Sequence, residues 1–344
     1  MNRLLHGLLV LLGVVTLLFW LFQGLGDPAR IMMGQSGDSV TLEAIKKDLH
    51  LDQSRGKQFL LYLNDISPVS YYTKSEMDAL GIGGIFLGDD KGVCIKLPYL
   101  RKSYQSKRNV TDLIAESLTG TILLAVTAML FATLIGMLLG VVAALKRGTI
   151  WDTSSVMASI LGVSIPSFFM AMLIAWIFGY LLSDYTGLQM TGSWKELDDY
   201  TGESTYNFKN LILPALTLGI RPLAIITQLT RSVMIEELQK DYILTAYAKG
   251  LGNTAIYIRH ALRNALNPVV TAVSGWFAEL LGGAFFIEYI FGWKGLGKLT
   301  VEAVEQLDYP LVMGCVLVAA CFFILMGFIT DLLYMRLDPR VRIK

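Results

Sequence analysis

The sequence predicts an all-α membrane protein with six transmembrane helices, a large extracytoplasmic region between helices 1 and 2, and a polar helical insert between helices 4 and 5. Three observations predict it. Hydrophobic residues make up 54% of the 344-residue chain and charged residues only 17%, against about 45–50% and about 25% in soluble domains. The apolar residues gather into runs near the roughly 20 residues that a helix needs to cross a hydrocarbon core. Lysine and arginine in the short connections (Lys146, Arg147; Arg231, Lys240, Lys249, Arg259, Arg263; Arg336, Arg340, Arg342, Lys344) fall on one face, and the positive-inside rule makes that face the cytoplasm.

The first run, 4–22, follows Arg3 and leads into QGLGDPAR instead of a small-x-small cleavage site, so 1–23 reads as a retained anchor with its N-terminus inside. Residues 24–116 form the large extracytoplasmic region. Within it 41–51, with Ser39 and Thr41 as cap candidates, and 57–63 read as short helices. Residues 66–93, containing GIGGIFLGDDKG, read as turns and strands and form a candidate inserted element. Helical pattern returns at 104–114 and leads into the second span, 118–145. There Gly136 and Gly140 stand at GxxxG spacing, which fits close helix approach and plain packing alike. The third span, 154–182, is broken by Pro166, whose missing N–H kinks a helix, either to line a pathway or as a static bend. An acidic outer loop, 183–210, precedes the fourth span, 211–229. The polar insert, 231–268, the fifth span, 269–287, an outer loop, 288–309, and the sixth span, 311–334, complete a five-helix core over 117–334, followed by a basic tail, 335–344.

The insert reads EELQKDYILTAYAKGLGNTAIYIRHALRNALNP over 236–268. Tyr242, Ile243, Ala246 and Ala248 keep helical spacing, Gly250 and Gly252 break it, and Ile256, Ile258, Leu262 and Leu266 resume it. The pattern is a pair of short helices joined by a glycine elbow; an ordinary interfacial amphipathic loop is the simpler alternative.

This segment resembles the cytoplasmic coupling loop, the EAA loop, of ABC importer permeases. Ala246 and Gly250 match the motif's alanine, three residues, glycine, whereas Leu244 and Thr245 replace its Glu and Ala, and Leu266-Asn267-Pro268 replaces its Leu-Pro ending. The wording DYILTAYAKGL and RHALRNALNPVV is similar to the dipeptide, oligopeptide and nickel permease group, and GDPA, LHLDQ, SIPSF, EYIFGWKGLG and DLLYMRLDPRVR agree with it. The resemblance covers most of the chain apart from 66–93.

The resemblance implies a bacterial inner-membrane subunit, both termini cytoplasmic, that forms half of an import pathway for di- or oligopeptides, with nickel and other solutes as open alternatives. The implied partners are a second homologous permease, two cytoplasmic ATPase subunits carrying ATP and Mg, an extracytoplasmic solute-binding protein, and membrane lipid. No cofactor is implied in this chain. Asp241, Thr245, Ala246, Lys249, Gly250 and Arg259 become the candidate ATPase-coupling residues.

Two ionisable residues lie deep in predicted spans, Arg221 and Glu279. Each stands roughly ten to a dozen residues into its helix, near mid-depth at about 1.5 Å per residue. They border a wet pathway or form an intramembrane ion pair. GWKGLGK over 292–298 has P-loop spacing, but Leu299 stands where Ser or Thr would hold magnesium, and no strand precedes it. No catalytic constellation, metal-ligand spacing or disulfide framework appears, so the chain reads as a transport subunit and not as an enzyme. A net charge of +1 gives no reason to expect nucleic acid. The rival readings are a stand-alone secondary transporter or channel, which would favour internal repeats and midplane carboxylates, and a receptor sensing through 24–116.

Overall fold

The computed structural model describes residues 2–24, 43, 46, 52–197, 203–281 and 284–337. Two compact units emerge: Met1–Glu116 with Leu299–Val318, and Ser117–Lys298 with Ala319–Lys344. The predicted helix over 41–51 and the tail beyond 337 lie almost wholly outside the described residues.

The first unit contains helix α1 (Asn2–Gly24) and α2 (Arg55–Ile66). Its next part corrects the all-α expectation. Strands β1 (Val69–Thr73), β2 (Gly84–Gly88) and β3 (Lys91–Lys96) make an antiparallel sheet in the order β1-β3-β2, with α3 (Lys74–Leu80) inserted after β1. The cause is a period of two. Tyr72 and Cys94 point to one face, where they bury against Met77 of α3, while Val69, Tyr71, Val93 and Ile95 point to the other. A capping box starts α3: Thr73 Oγ1 accepts from the Glu76 N–H at 3.2 Å and Glu76 Oε2 accepts from the Thr73 N–H at 2.8 Å. Buried Asp65 ties the unit together, accepting from Tyr72 Oη at 2.6 Å and from Arg101 Nε at 2.7 Å.

The second unit is organised on α8 (Ile212–Leu238). Before it come α4 (Val110–Leu145), α5 (Ile150–Ser164), α6 (Ser167–Trp176), which runs on as a wide turn over Ile177–Leu181, and the short α7 (Ser183–Thr186). A small ribbon pairs β4 (Lys195–Leu197) with β5 (Ser204–Tyr206). After α8 follow α9 (Asp241–Ala248), α10 (Asn253–Ala255), a wide turn over Ile256–Leu262, α11 (Arg263–Leu281) and α12 (Phe285–Ile290); α13 (Leu296–Glu305) falls mostly in the first unit, and α14 (Tyr309–Leu337) begins in the first and ends in the second.

Small residues set the spacing around α8. A Cβ on Gly140 would come within 2.6 Å of Thr230 Cβ and 2.7 Å of the Thr227 carbonyl oxygen, and one on Gly136 within 3.0 Å of the Leu223 carbonyl oxygen. The GxxxG pair therefore does bring α4 against α8. From the other side, a Cβ on Gly219 of α8 would meet Phe131 at 2.8 Å and the Ala128 carbonyl oxygen at 2.9 Å. The core between these helices holds Leu124, Ala128, Ala132, Ala171, Ala175, Ile226, Phe291 and Trp293.

Among the described residues, four helices are long and apolar enough to cross a membrane: Leu5–Phe22, Val110–Leu145, Phe208–Leu238 and Tyr309–Leu332. The pair α5 and α6 passes that test only jointly, with a bend of 107° between them. Pro166 thus breaks the predicted third span more sharply than a kink. Ile165 is extended at ψ 129°, as a residue before proline prefers, and Pro166 stays extended at ψ 134° before α6 starts. The predicted fifth span, 269–287, is also divided, into α11 ending at Leu281 and α12 starting at Phe285. Ala284, just before α12, stands at φ −83° and ψ 56°, outside helical geometry.

Candidate functional site

The polar insert forms a fastened knob at the end of α8. On α9, Ile243 and Ala246 point inward and pack with Ala144, Met234, Ile256, Ala261 and Ala265. Ala246, 5% exposed, packs within this chain. The outward face carries Asp241, Thr245, Lys249, Gly250 and Arg259, all exposed, together with Leu244 at 65% and Tyr247 at 43%.

Helix α9 ends in a Schellman closure: the Gly250 N–H donates to the Tyr247 carbonyl at 2.9 Å and the Leu251 N–H to the Ala246 carbonyl at 3.3 Å. That closure puts Gly250 at φ +76°, where L side chains are strained. Buried Glu237 locks the start of the knob, accepting from Lys240 Nζ at 2.6 Å and Tyr242 Oη at 2.6 Å, while Asn264 Nδ2 donates to Tyr242 Oη at 3.0 Å. Burial, with the bond to Glu237 next in weight, pushes the Tyr242 phenol above its ordinary pKa. A second clamp joins α5 to α8: Arg231 donates through Nε at 2.5 Å and Nη2 at 2.9 Å to Asp152, which also accepts from the Gly148 N–H at 3.0 Å. Neither carboxylate partner, Asp152 nor Glu237, stood out in the sequence, because each lies near a span end where a charge is ordinary.

A separate cavity of about 180 Å³ opens beside the broken span, lined by Ser167, Thr217, Leu218, Arg221, Pro222, Trp276, Glu279 and their neighbours. The structure brings Arg221 and Glu279 to this one cavity. Both are exposed, and no ion pair within 4.0 Å joins them. The Arg221 guanidinium lies 6.0 Å from the Trp276 ring centre. Pro166 itself sits at the N-cap of α6, next to the cavity-lining Ser167.

Residues 136–343 match the family described as binding-protein-dependent transport system inner membrane component, and residues 1–83 match its N-terminal counterpart. The chain belongs to this family. The permease is 33% identical to the dipeptide transport system permease protein of Alkalihalophilus pseudofirmus, over 99% of this chain and 98% of the relative. It is also 33% identical to the glutathione transport system permease protein of Escherichia coli strain K12, over 98% and 97%. Among solved structures, the inward-facing MetNI methionine ABC transporter shares its fold with a TM-score of 0.52 at 18% identity, covering 66% of this chain and 97% of that one. The permease is thus an integral inner-membrane subunit of the ABC importer class.

The remaining motif is accounted for within the permease. GWKGLGK wraps around Glu288, which is 0% exposed although the sequence pattern places it at the start of an outer loop. Its carboxylate accepts from Thr121 Oγ1 at 2.8 Å and from the Gly297 and Lys298 N–H groups at 2.7 and 3.1 Å. A Cβ on Gly295 would stand 2.4 Å from Glu288 Oε2, so the glycines make room for an internal carboxylate. The Lys294, Leu296, Gly297 and Lys298 N–H groups, which a phosphate would need, already donate to Ser193, Thr121 and Glu288. The spacing of a glutamate before a glycine-rich turn was the only signal available in the sequence.

Proposed function

We propose that this permease forms half of the translocation pathway of an ATP-driven importer for di- or oligopeptides. In this reading six spans cross the inner membrane, with α11 as the short fifth, and both termini lie in the cytoplasm. A second homologous permease completes the pathway, two ATPase subunits carry ATP and Mg, and an extracytoplasmic binding protein delivers the solute. Relatives named for dipeptide and glutathione transport support the peptide assignment.

The single observation that carries the coupling role is the build of the knob. Its inner side is fixed by Ile243, Ala246 and Glu237, so a push on Leu244, Thr245, Tyr247 or Lys249 is transmitted to α8 instead of being absorbed locally. α8 in turn lines the cavity through Thr217, Leu218 and Arg221. ATPase closure would move α9 with α8 and re-orient the pathway.

Affinity purification of the tagged permease tests this reading: two ATPases and a related permease should copurify, and uptake should need ATP and the binding protein. A Lys249→Cys variant should react with a membrane-impermeant thiol reagent only in permeabilised cells. Transport by the lone chain, or labelling of that cysteine in intact cells, would overturn the assignment.

A further inference from the structure

The cavity beside the broken span has a chemistry that coupling does not require. Its wall holds an acid and a base from different helices, Glu279 on α11 and Arg221 on α8, exposed and not bridged to each other. Ionisable groups deep in apolar helices are costly unless they meet water, each other or a charged occupant. Here they face a shared space.

The surroundings sort that space by polarity. Arg221 offers a planar fork suited to a carboxylate. Beside it, α6 begins at Ser167 with no side-chain cap, and Ser167 lines the cavity. The start of a ten-residue helix adds partial positive charge there, as in transporters whose broken helices aim their N-termini at anionic groups. Pro222 within α8 has no N–H to donate to the Leu218 carbonyl, and both residues line the cavity. Trp276, Phe285 and Phe286 provide the apolar wall. The volume, about 180 Å³, falls below the roughly 300–1,000 Å³ of drug-sized sites and suits a very small peptide.

We propose that this cavity is a waypoint for zwitterionic peptides, in which Arg221 and the start of α6 hold the C-terminal carboxylate while Glu279 holds the N-terminal ammonium. The inference rests on the peptide-importer reading and adds to it a recognition step within the permease. End-group charge is then read after the binding protein has released the peptide.

Equilibrium binding of radiolabelled dialanine, dialanine amide and N-acetyl-dialanine to the purified permease–ATPase complex, without binding protein, tests it. Wild type should prefer dialanine to either blocked form by about tenfold or more. Arg221→Gln should abolish the preference over the amide, Glu279→Gln the preference over the N-acetyl form, and Arg221→Lys should retain part of the first. Absence of specific dialanine binding by wild type, or equal losses on all three probes in both glutamine variants, would overturn the inference. If Arg221→Gln fails to assemble, Arg221→Lys and Glu279→Gln carry the comparison. ATP-driven uptake of dialanine by the wild-type importer with its binding protein is measured in parallel. Its absence overturns the peptide-importer reading itself, whereas uptake without end-group preference in binding overturns only the waypoint.

Discussion

Gly250 separates backbone strain from steric fit at the knob that follows α8. Its φ of +76° lies in the left-handed region, and a Cβ built there meets nothing within 4 Å. Substitution therefore costs only conformation within this chain, about 1–2 kcal/mol for an ordinary L-residue. Asparagine tolerates the left-handed region better than alanine, although it is larger. The expected order of transport is thus Gly250, then Gly250→Asn, then Gly250→Ala. A penalty of about 1–2 kcal/mol shifts the elbow population by about 5- to 30-fold, so ATP-driven uptake in proteoliposomes should fall by up to that factor in Gly250→Ala. The thermal midpoint of the spans, which do not use this residue, should hardly move. A wild-type rate in Gly250→Ala, or a greater loss in Gly250→Asn than in Gly250→Ala, would refute the conformational argument and point instead to crowding against a partner.

Gly140→Ala should lower the unfolding free energy by about 1–3 kcal/mol, because the added methyl meets backbone and Thr230 Cβ below 3.0 Å; Gly275→Ala, with nothing within 4 Å, should be neutral or stabilising in a thermal melt of the detergent-solubilised chain. Asp152→Asn should cost about 1–3 kcal/mol by breaking the clamp on Arg231, and adding Arg231→Gln should cost less than the sum of the two single changes. In the first unit, burial raises the phenols of Tyr62 and Tyr72 above their ordinary value of 10.0. Unfolded chains release those protons first, so this contribution is complete below pH 10.0 and is lost as pH rises through the raised folded values. Tyrosinate absorbance should therefore lag in the folded protein, and alkaline unfolding should release it abruptly; smooth titration of every tyrosine before unfolding would contradict the assignment. Glu288→Gln should cost about 1–3 kcal/mol in the same kind of melt, since an amide NH₂ would replace one acceptor among the Thr121, Gly297 and Lys298 donors.

Local chemistry made much of this permease legible from residues alone. Apolar runs near membrane thickness announce spans because a hydrocarbon core satisfies no backbone polar group, and Gly250 with Ala246 announces an elbow because only glycine bends there at little cost. The resemblance of DYILTAYAKGL and RHALRNALNPVV then pointed to the family that the comparison supports.

Other features depend on contacts distant in sequence. Whether Gly136 and Gly140 matter depends on what lies opposite, which is α8. Whether Ala246 faces a partner or its own chain depends on the packing of α9 against Met234 and Ala265. Asp152 and Glu237 look like ordinary charges near span ends until Arg231 and Tyr242 arrive beside them. Glu288 looks like a loop residue until Thr121, 167 positions earlier, closes over it. Hydropathy averages over a window and carries no direction. A buried carboxylate or a close glycine contact is defined by direction, and folding supplies that direction by bringing distant segments together.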